Sequence, residues 1–249
     1  MNILIYTILA LFLASIGSVL LSGVLLLLND KWLGKVSDYL LYLAGGTLLA
    51  SAMFGMIPEA VEKIDLHEAM IWILIGILGF FILEKIILWR NCHNENCERQ
   101  QHAAAPMIII GDAFHNAIDG VVIAASFLTS VELGFFVTFS VILHEIPQEL
   151  GDFGVLIKGG YSRKKALFYN LLSGSSSLVA GIAAYFVLDW VESLIPYSLA
   201  IAAASFLYIS LADLIPEMHK ETKLKQSFIQ FLLILAGVLI IWVSSHHAH

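Results

Sequence analysis

Charge is what this chain has least of. Asp, Glu, Lys and Arg make up only 13% of its 249 residues, against 59% that are hydrophobic. A soluble domain carries roughly 25% charged residues, so this composition would aggregate in water. Cysteine is nearly absent too, and two residues cannot build a disulfide framework. Basic residues are outnumbered 13 to 20, leaving a formal charge of -7. That balance argues against a nucleic-acid binder and fits the handling of cations. A phosphate-cradling loop is also missing: Gly159-Gly160 leads into a basic turn without the Lys-Ser/Thr ending such loops need.

Long apolar runs fill the space. Mean hydropathy is +0.86, and eight stretches reach the ~20 residues that a membrane crossing requires. They run Ile3–Leu28, Val36–Pro58, Ala69–Leu88, Pro106–Leu128, Leu133–Ile157, Lys165–Leu188, Ser193–Ile215 and Ser227–Ser244. The expected fold is an all-α membrane protein, one transmembrane domain over residues 1–249, with residues 89–105 as a cytoplasmic loop. The first stretch lacks a basic leader and a small-residue cleavage site, so it is read as a permanent helix and not a removed signal.

Orientation follows from Lys and Arg. Of the 13 basic residues, all but Lys63 fall on the odd-numbered loops or beside them. The positive-inside rule puts those loops in the cytoplasm and both termini outside, as expected of a multi-pass protein of the cell (inner) membrane. The even loops carry Glu59, Glu62, Asp65, Glu68, Glu132, Asp189 and Glu192. These carboxylates either gather cations or simply keep the outer loops solvated, and the sequence leaves both readings open. Cys92, His93, Cys97 and His102 lie in the third loop. Their spacing suits a polar linker better than a zinc site, although reduced cytoplasmic thiols can bind soft metals. The terminal His246-His247-Ala248-His249 is either a metal-gathering tail or the remnant of a tag.

Two stretches end alike. The second closes on Met56-Ile57-Pro58-Glu59 and the seventh on Leu214-Ile215-Pro216-Glu217. Their opposite directions suggest inverted halves, segments 1–3 against 6–8 around a central pair, a 3+2+3 arrangement of the kind transporters use.

The central pair carries the chemistry. Segment 4 contains Gly111-Asp112-Ala113-Phe114-His115-Asn116-Ala117-Ile118-Asp119-Gly120, and segment 5 contains His144-Glu145-Ile146-Pro147-Gln148-Glu149-Leu150-Gly151-Asp152. At ~100° per residue, Asp112, His115, Asn116 and Asp119 share a stripe about 100° wide. The polar residues of segment 5 span about 140°. Asp112, Asp119, Glu145 and Glu149 would together cost on the order of 10 kcal/mol facing lipid. No Lys or Arg lies within either stripe, so a transient metal ion or protons must answer the charge. Histidine with carboxylates suits Zn²⁺ and, less selectively, Fe²⁺, Mn²⁺ or Cd²⁺. Pro147 removes a backbone hydrogen bond and predicts an irregular turn beside His144 and Glu145.

These motifs resemble the ZIP family of divalent-metal transporters. His115-Asn116-x-x-Asp119-Gly120 matches the family's fourth-helix string, and His144-Glu145-x-Pro147-Gln148-Glu149-x-Gly151-Asp152 matches the fifth-helix string at all but one defined position. The endings of the second and seventh helices are similar too. The chain is read as a prokaryotic member carrying a His-Glu-x-Pro-Gln-Glu variant.

The resemblance implies a homodimer and a binuclear site between helices 4 and 5. It also implies an elevator-type motion of helices 1, 4, 5 and 6 against a scaffold of helices 2, 3, 7 and 8. The metal positions carried over are His115, Asn116, Asp119, His144, Glu145 and Gln148, with Asp119 and Glu145 shared between two ions. Asp112, Glu149, Asp152, Ser177, Asp213 and Glu217 are secondary or pathway candidates, Asp213 at the inner exit. Gln148 replaces a stronger ligand, and Ser177 stands where many relatives hold a Glu, so one principal metal position is expected.

The expected function is import of divalent transition metal, zinc foremost, by a protein that is not an enzyme and needs no cofactor beyond its transported ion. The expected partners are metal ions, the bilayer and a second copy of the chain, with no nucleic acid. An intramembrane zinc protease would need His-Glu-x-x-His, and the second His is replaced by Gln148. A proton conductor remains the other alternative.

Overall fold

A computed structural model describes residues 3–28, 30–91 and 97–246. Counting short π-helical and 3₁₀ segments with the runs they join, the path is α1 (Ile3–Leu25), α2 (Trp32–Val61), α3 (Leu66–Asn91), α4 (Cys97–Thr129), α5 (Val131–Lys158), α6 (Arg163–Trp190), α7 (Glu192–Met218) and α8 (Leu224–His246). Among the described residues there is no strand. Only helices satisfy every backbone group inside lipid without a closed barrel. Among the described residues, helices α1, α2, α3, α6, α7 and α8 hold six spans long and apolar enough to cross a membrane. Helices α4 and α5, of 33 and 28 residues, have the length but carry the buried carboxylates.

Burial runs inside out relative to a soluble protein. Leu74, Val179 and Phe231 are 56%, 71% and 61% exposed, whereas Asp119, Glu145 and Glu149 are 1%, 0% and 0% exposed. Such an outer surface needs hydrocarbon around it. The chain is an all-α, multi-pass membrane protein.

Small residues let the helices meet. A Cβ on Gly120 of α4 would overlap the Ser177 carbonyl of α6, and one on Gly181 would run into Leu11 and the Gly120 carbonyl. Gly46 of α2 and Gly237 of α8 approach each other's backbones in the same way, and Gly76 of α3 receives Ala204 of α7. Van der Waals contact at such points is the main attraction available between helices in lipid. The closest partnerships are α4 with α6, α2 with α8, α2 with α7, and α3 with α7, while α5 lies against α1, α2 and α4.

Two of the π segments occupy matched places. Ser51–Met56 ends immediately before Ile57-Pro58-Glu59, and Ile209–Leu214 immediately before Ile215-Pro216-Glu217. Proline lacks the N–H that would continue the ladder and crowds the preceding turn, and a π segment absorbs the mismatch. A third π segment, Leu13–Gly17, lies in α1. There Ser15 donates to the Leu11 carbonyl at 2.7 Å and Ser18 to the Ala14 carbonyl at 2.5 Å.

Two expectations change. Residues 89–91 and 97–105, expected as loop, are helical. Hydropathy marks where lipid lies, not where a helix ends, and Glu98, Arg99, Gln100, Gln101 and Ala103–Ala105 are good helix formers. Pro147 does not produce an irregular turn: α5 is α-helical from Val131 to Lys158. The Ser22 hydroxyl of α1 donates to the Ile146 carbonyl at 3.1 Å and ties α1 to α5 beside the proline. Residues 92–96 and 247–249, and the side chains of Cys97, His102 and His246, fall outside the description, and with them the loop and tail readings.

Candidate metal centre

Helix periodicity gathers the polar stripe of α4, and α5 brings its own stripe against it. His115, Asp119, His144 and Glu145 each offer one ligand atom, all within 4.8 Å of one another. His115 Nε2 lies 3.2 Å from His144 Nε2, 3.7 Å from Asp119 Oδ2 and 3.4 Å from Glu145 Oε1. His144 Nε2 lies 3.0 Å from Asp119 Oδ2 and 3.6 Å from Glu145 Oε1. A tetrahedral zinc with ligands at about 2.0–2.1 Å has ligand-to-ligand edges of about 3.3–3.4 Å. Five edges of this cluster bracket that value.

The surroundings favour a cation. All four carboxylate oxygens of Asp119 and Glu145 are buried without a hydrogen-bond partner. Leaving such groups unpaired is costly, and among the described residues the ion pairs of these carboxylates are with the two histidines alone. His144 Nδ1 sits 3.0 Å from the Ser140 carbonyl. A carbonyl there holds the proton on Nδ1 and turns the Nε2 lone pair toward the cluster, as metal-binding histidines require. Ser140 is itself braced by the Ser51 hydroxyl at 2.8 Å, and Phe206 packs edge-on to the His144 ring.

A second group adjoins the first. Asp112, Glu145 and Glu149 bring carboxylate oxygens within 4.8 Å of one another, and all three residues are buried. Glu145 therefore belongs to both groups, and Asp119 only to the first. Asp112 Oδ2 and both oxygens of Glu149 lack partners. Asn116 and Gln148 each donate a side-chain N–H to Asp112 Oδ1 at 3.1 Å, so their amides orient that carboxylate. Asp112 and Glu149 thus carry more of this group than their secondary rank in the sequence suggested.

The remaining candidates lie further out. Ser177 is buried on α6 with its hydroxyl unpartnered. A cavity of about 370 Å³ opens beside His115, and Gln148, Asp152 and Asp213 line it. Glu217 is separate, exposed and paired with Lys220 at 2.5 Å, an arrangement worth little energetically. Sequence reasoning passed over Glu84, which also lines the cavity. Its signal was a carboxylate, next to Lys85, inside a span apolar on either side of that pair.

The model of the ZIP zinc transporter family matches residues 1–104 and 89–245, nearly the whole chain. The chain belongs to the ZIP zinc transporter family. That family is one of transporters and not of enzymes. Among ZIP relatives, the chain is 42% identical over 137 residues to the zinc transporter foi of Drosophila melanogaster, covering 55% of this chain and 19% of that protein. It is 29% identical over 219 residues to zinc transporter ZIP13 of Pongo abelii, covering 81% of this chain and 64% of that protein. Over 122 residues it is 41% identical to the metal cation symporter ZIP14 of Bos taurus, 47% of this chain and 24% of the relative. The matches thus cover less than two thirds of these relatives' own lengths.

Proposed function

We propose that this protein carries divalent transition-metal ions, zinc first, across the cell membrane into the cytoplasm, with the α4/α5 cluster holding the ion in transit. The observation that carries this is the His115–Asp119–His144–Glu145 cluster: three of its residues buried, five ligand-to-ligand distances of 3.0 to 3.7 Å, and carboxylate oxygens without a hydrogen-bond partner. The mixed nitrogen and oxygen set favours Zn²⁺ over Mg²⁺ and Ca²⁺, which prefer oxygen alone. Moving a divalent cation inward through -100 mV releases ~4.6 kcal/mol, a sufficient drive without a nucleotide.

The architecture we propose has eight crossings in a 3+2+3 inverted repeat, both termini outside and two copies in a dimer. The matched π segments before Ile-Pro-Glu in α2 and α7 support the repeat. An elevator-type motion is supported by the way the helices partner. Helices α4, α5, α6 and α1 pack together, and α2, α3, α7 and α8 pack together, with α5 against α2 and α4 against α7 where the two sets meet. The ion's ligands all belong to the first set, so that set could carry the ion whole. The test is uptake of zinc into proteoliposomes, with other divalent ions competing. Saturable zinc uptake blocked by Cd²⁺ and insensitive to Mg²⁺ is expected; no uptake above protein-free vesicles would overturn the proposal.

A further inference from the structure

We infer that the Ser51 hydroxyl of α2 is a brake on transport: its hydrogen bond to Ser140 of α5 ties the ion-bearing helices to the other set and breaks each time they move. This deepens the transport reading with its elevator-type motion, and rests on both. Side-chain hydrogen bonds between helices follow the two sets that the packing defines. Ser22 of α1 donates to the Ile146 carbonyl of α5, and Ser176 of α6 to the Ala113 carbonyl of α4. In the other set, Gln230 of α8 donates to the Met218 carbonyl of α7. The Ser51–Ser140 bond, 2.8 Å long, runs from one set to the other.

The bond is placed to hold and to let go. Ser140 donates its own proton to the Phe136 carbonyl at 3.0 Å, so Ser51 is the donor between the two hydroxyls. When the helices part, Ser140 keeps its bond within α5 and only Ser51 loses a partner. Both side chains are buried, where a lost polar partner counts. The bond also lies one turn from an ion ligand, since the Ser140 carbonyl faces His144 Nδ1 at 3.0 Å. Ser51 opens the π segment Ser51–Met56. Further along that segment, a Cβ on Gly55 would stand 2.8 Å from the Leu133 side chain of α5. The π segment thus runs along α5 from Ser140 toward Leu133, on the surface that α5 crosses when it moves. Such segments are frequent at functional sites.

The test is a double-mutant cycle on the full chain, read as zinc uptake in proteoliposomes and equilibrium zinc binding in detergent. Ser51→Ala removes the donor and Ser140→Ala the acceptor. Each should raise the maximal uptake rate about threefold, the factor that ~0.6 kcal/mol, typical of a side-chain hydrogen bond between membrane helices, makes in a rate. The double variant should be no faster than either single one, because both remove the same bond. Zinc affinity should stay within about twofold of wild type throughout, which reports an intact cluster. In a chain carrying Cys92→Ser and Cys97→Ser, the pair Ser51→Cys and Ser140→Cys, once oxidised to a disulfide, should bind zinc without transporting it, and reduction should restore uptake. An unchanged or slower rate in either single alanine variant overturns the inference and leaves the transport reading standing. So do effects that add in the double variant, a loss of zinc affinity, or undiminished uptake by the cross-linked chain. Absence of uptake by the wild type overturns the transport reading, and this inference with it.

Discussion

Replacing Asp119 by Asn removes one charge from the centre of the cluster and almost nothing else. The side chain keeps its shape at a position 1% exposed, 3.0 Å from His144 Nε2 and 3.7 Å from His115 Nε2. With the ion bound, the lost charge leaves a buried cation short of one partner, and breaking a buried ion pair costs about 3–5 kcal/mol. At 1.4 kcal/mol per factor of ten, zinc Kd should rise between about two and three and a half orders of magnitude. Without the ion the two histidines, at 3.0 and 3.7 Å from Asp119 Oδ2, are its charge partners, so the amide should also weaken the apo form, by less than it weakens the loaded one. Thermal unfolding with and without zinc reads both effects. Wild type should gain about 2.7 kcal/mol of stability when zinc is at 100 times its Kd. Asp119→Asn should start no more stable and gain almost nothing. A variant that binds zinc within about threefold of wild type would refute the reasoning, because a direct charged ligand cannot be lost so cheaply.

The other carboxylates divide the two groups. Glu145→Gln removes the residue common to both, and equilibrium dialysis should show no tight zinc, whereas Glu149→Gln should weaken only the second group and keep at least one bound ion per chain. His144→Glu replaces a nitrogen ligand by oxygen and should move competition profiles toward Mn²⁺; an unchanged profile would mean that His144 does not touch the ion. Gly120→Leu should lower stability sharply, because its side chain would run into the Ser177 backbone; detergent melting reads this. A Cys placed at Arg163 should resist an impermeant thiol reagent in intact cells, since that turn belongs to the basic side.

The principal site was legible because the physics that builds it is periodic. Ligand residues at 112, 115, 116 and 119 share a helical face by spacing alone, and intramembrane carboxylates without basic partners demand an explanation. The second group was less legible because it depends on the register between α4 and α5. Asn116 reaches Asp112 within its own helix, but Gln148 looks like a ligand in a string of letters, and only the packed helices turn its amide onto Asp112. Glu84 meets Tyr208 across 124 positions of sequence, a pairing that no local pattern encodes. The Ile-Pro-Glu endings announced a repeat, but the π segments before them arise from how each helix absorbs its proline within the fold.

X-ray absorption at the zinc edge on the loaded protein tests the central claim most directly. The cluster predicts a four-coordinate ion with two histidine nitrogens and two carboxylate oxygens at about 2.0–2.2 Å, and one nitrogen fewer in His144→Ala. A six-coordinate shell of oxygen alone, or a spectrum that His144→Ala leaves unchanged, would contradict it.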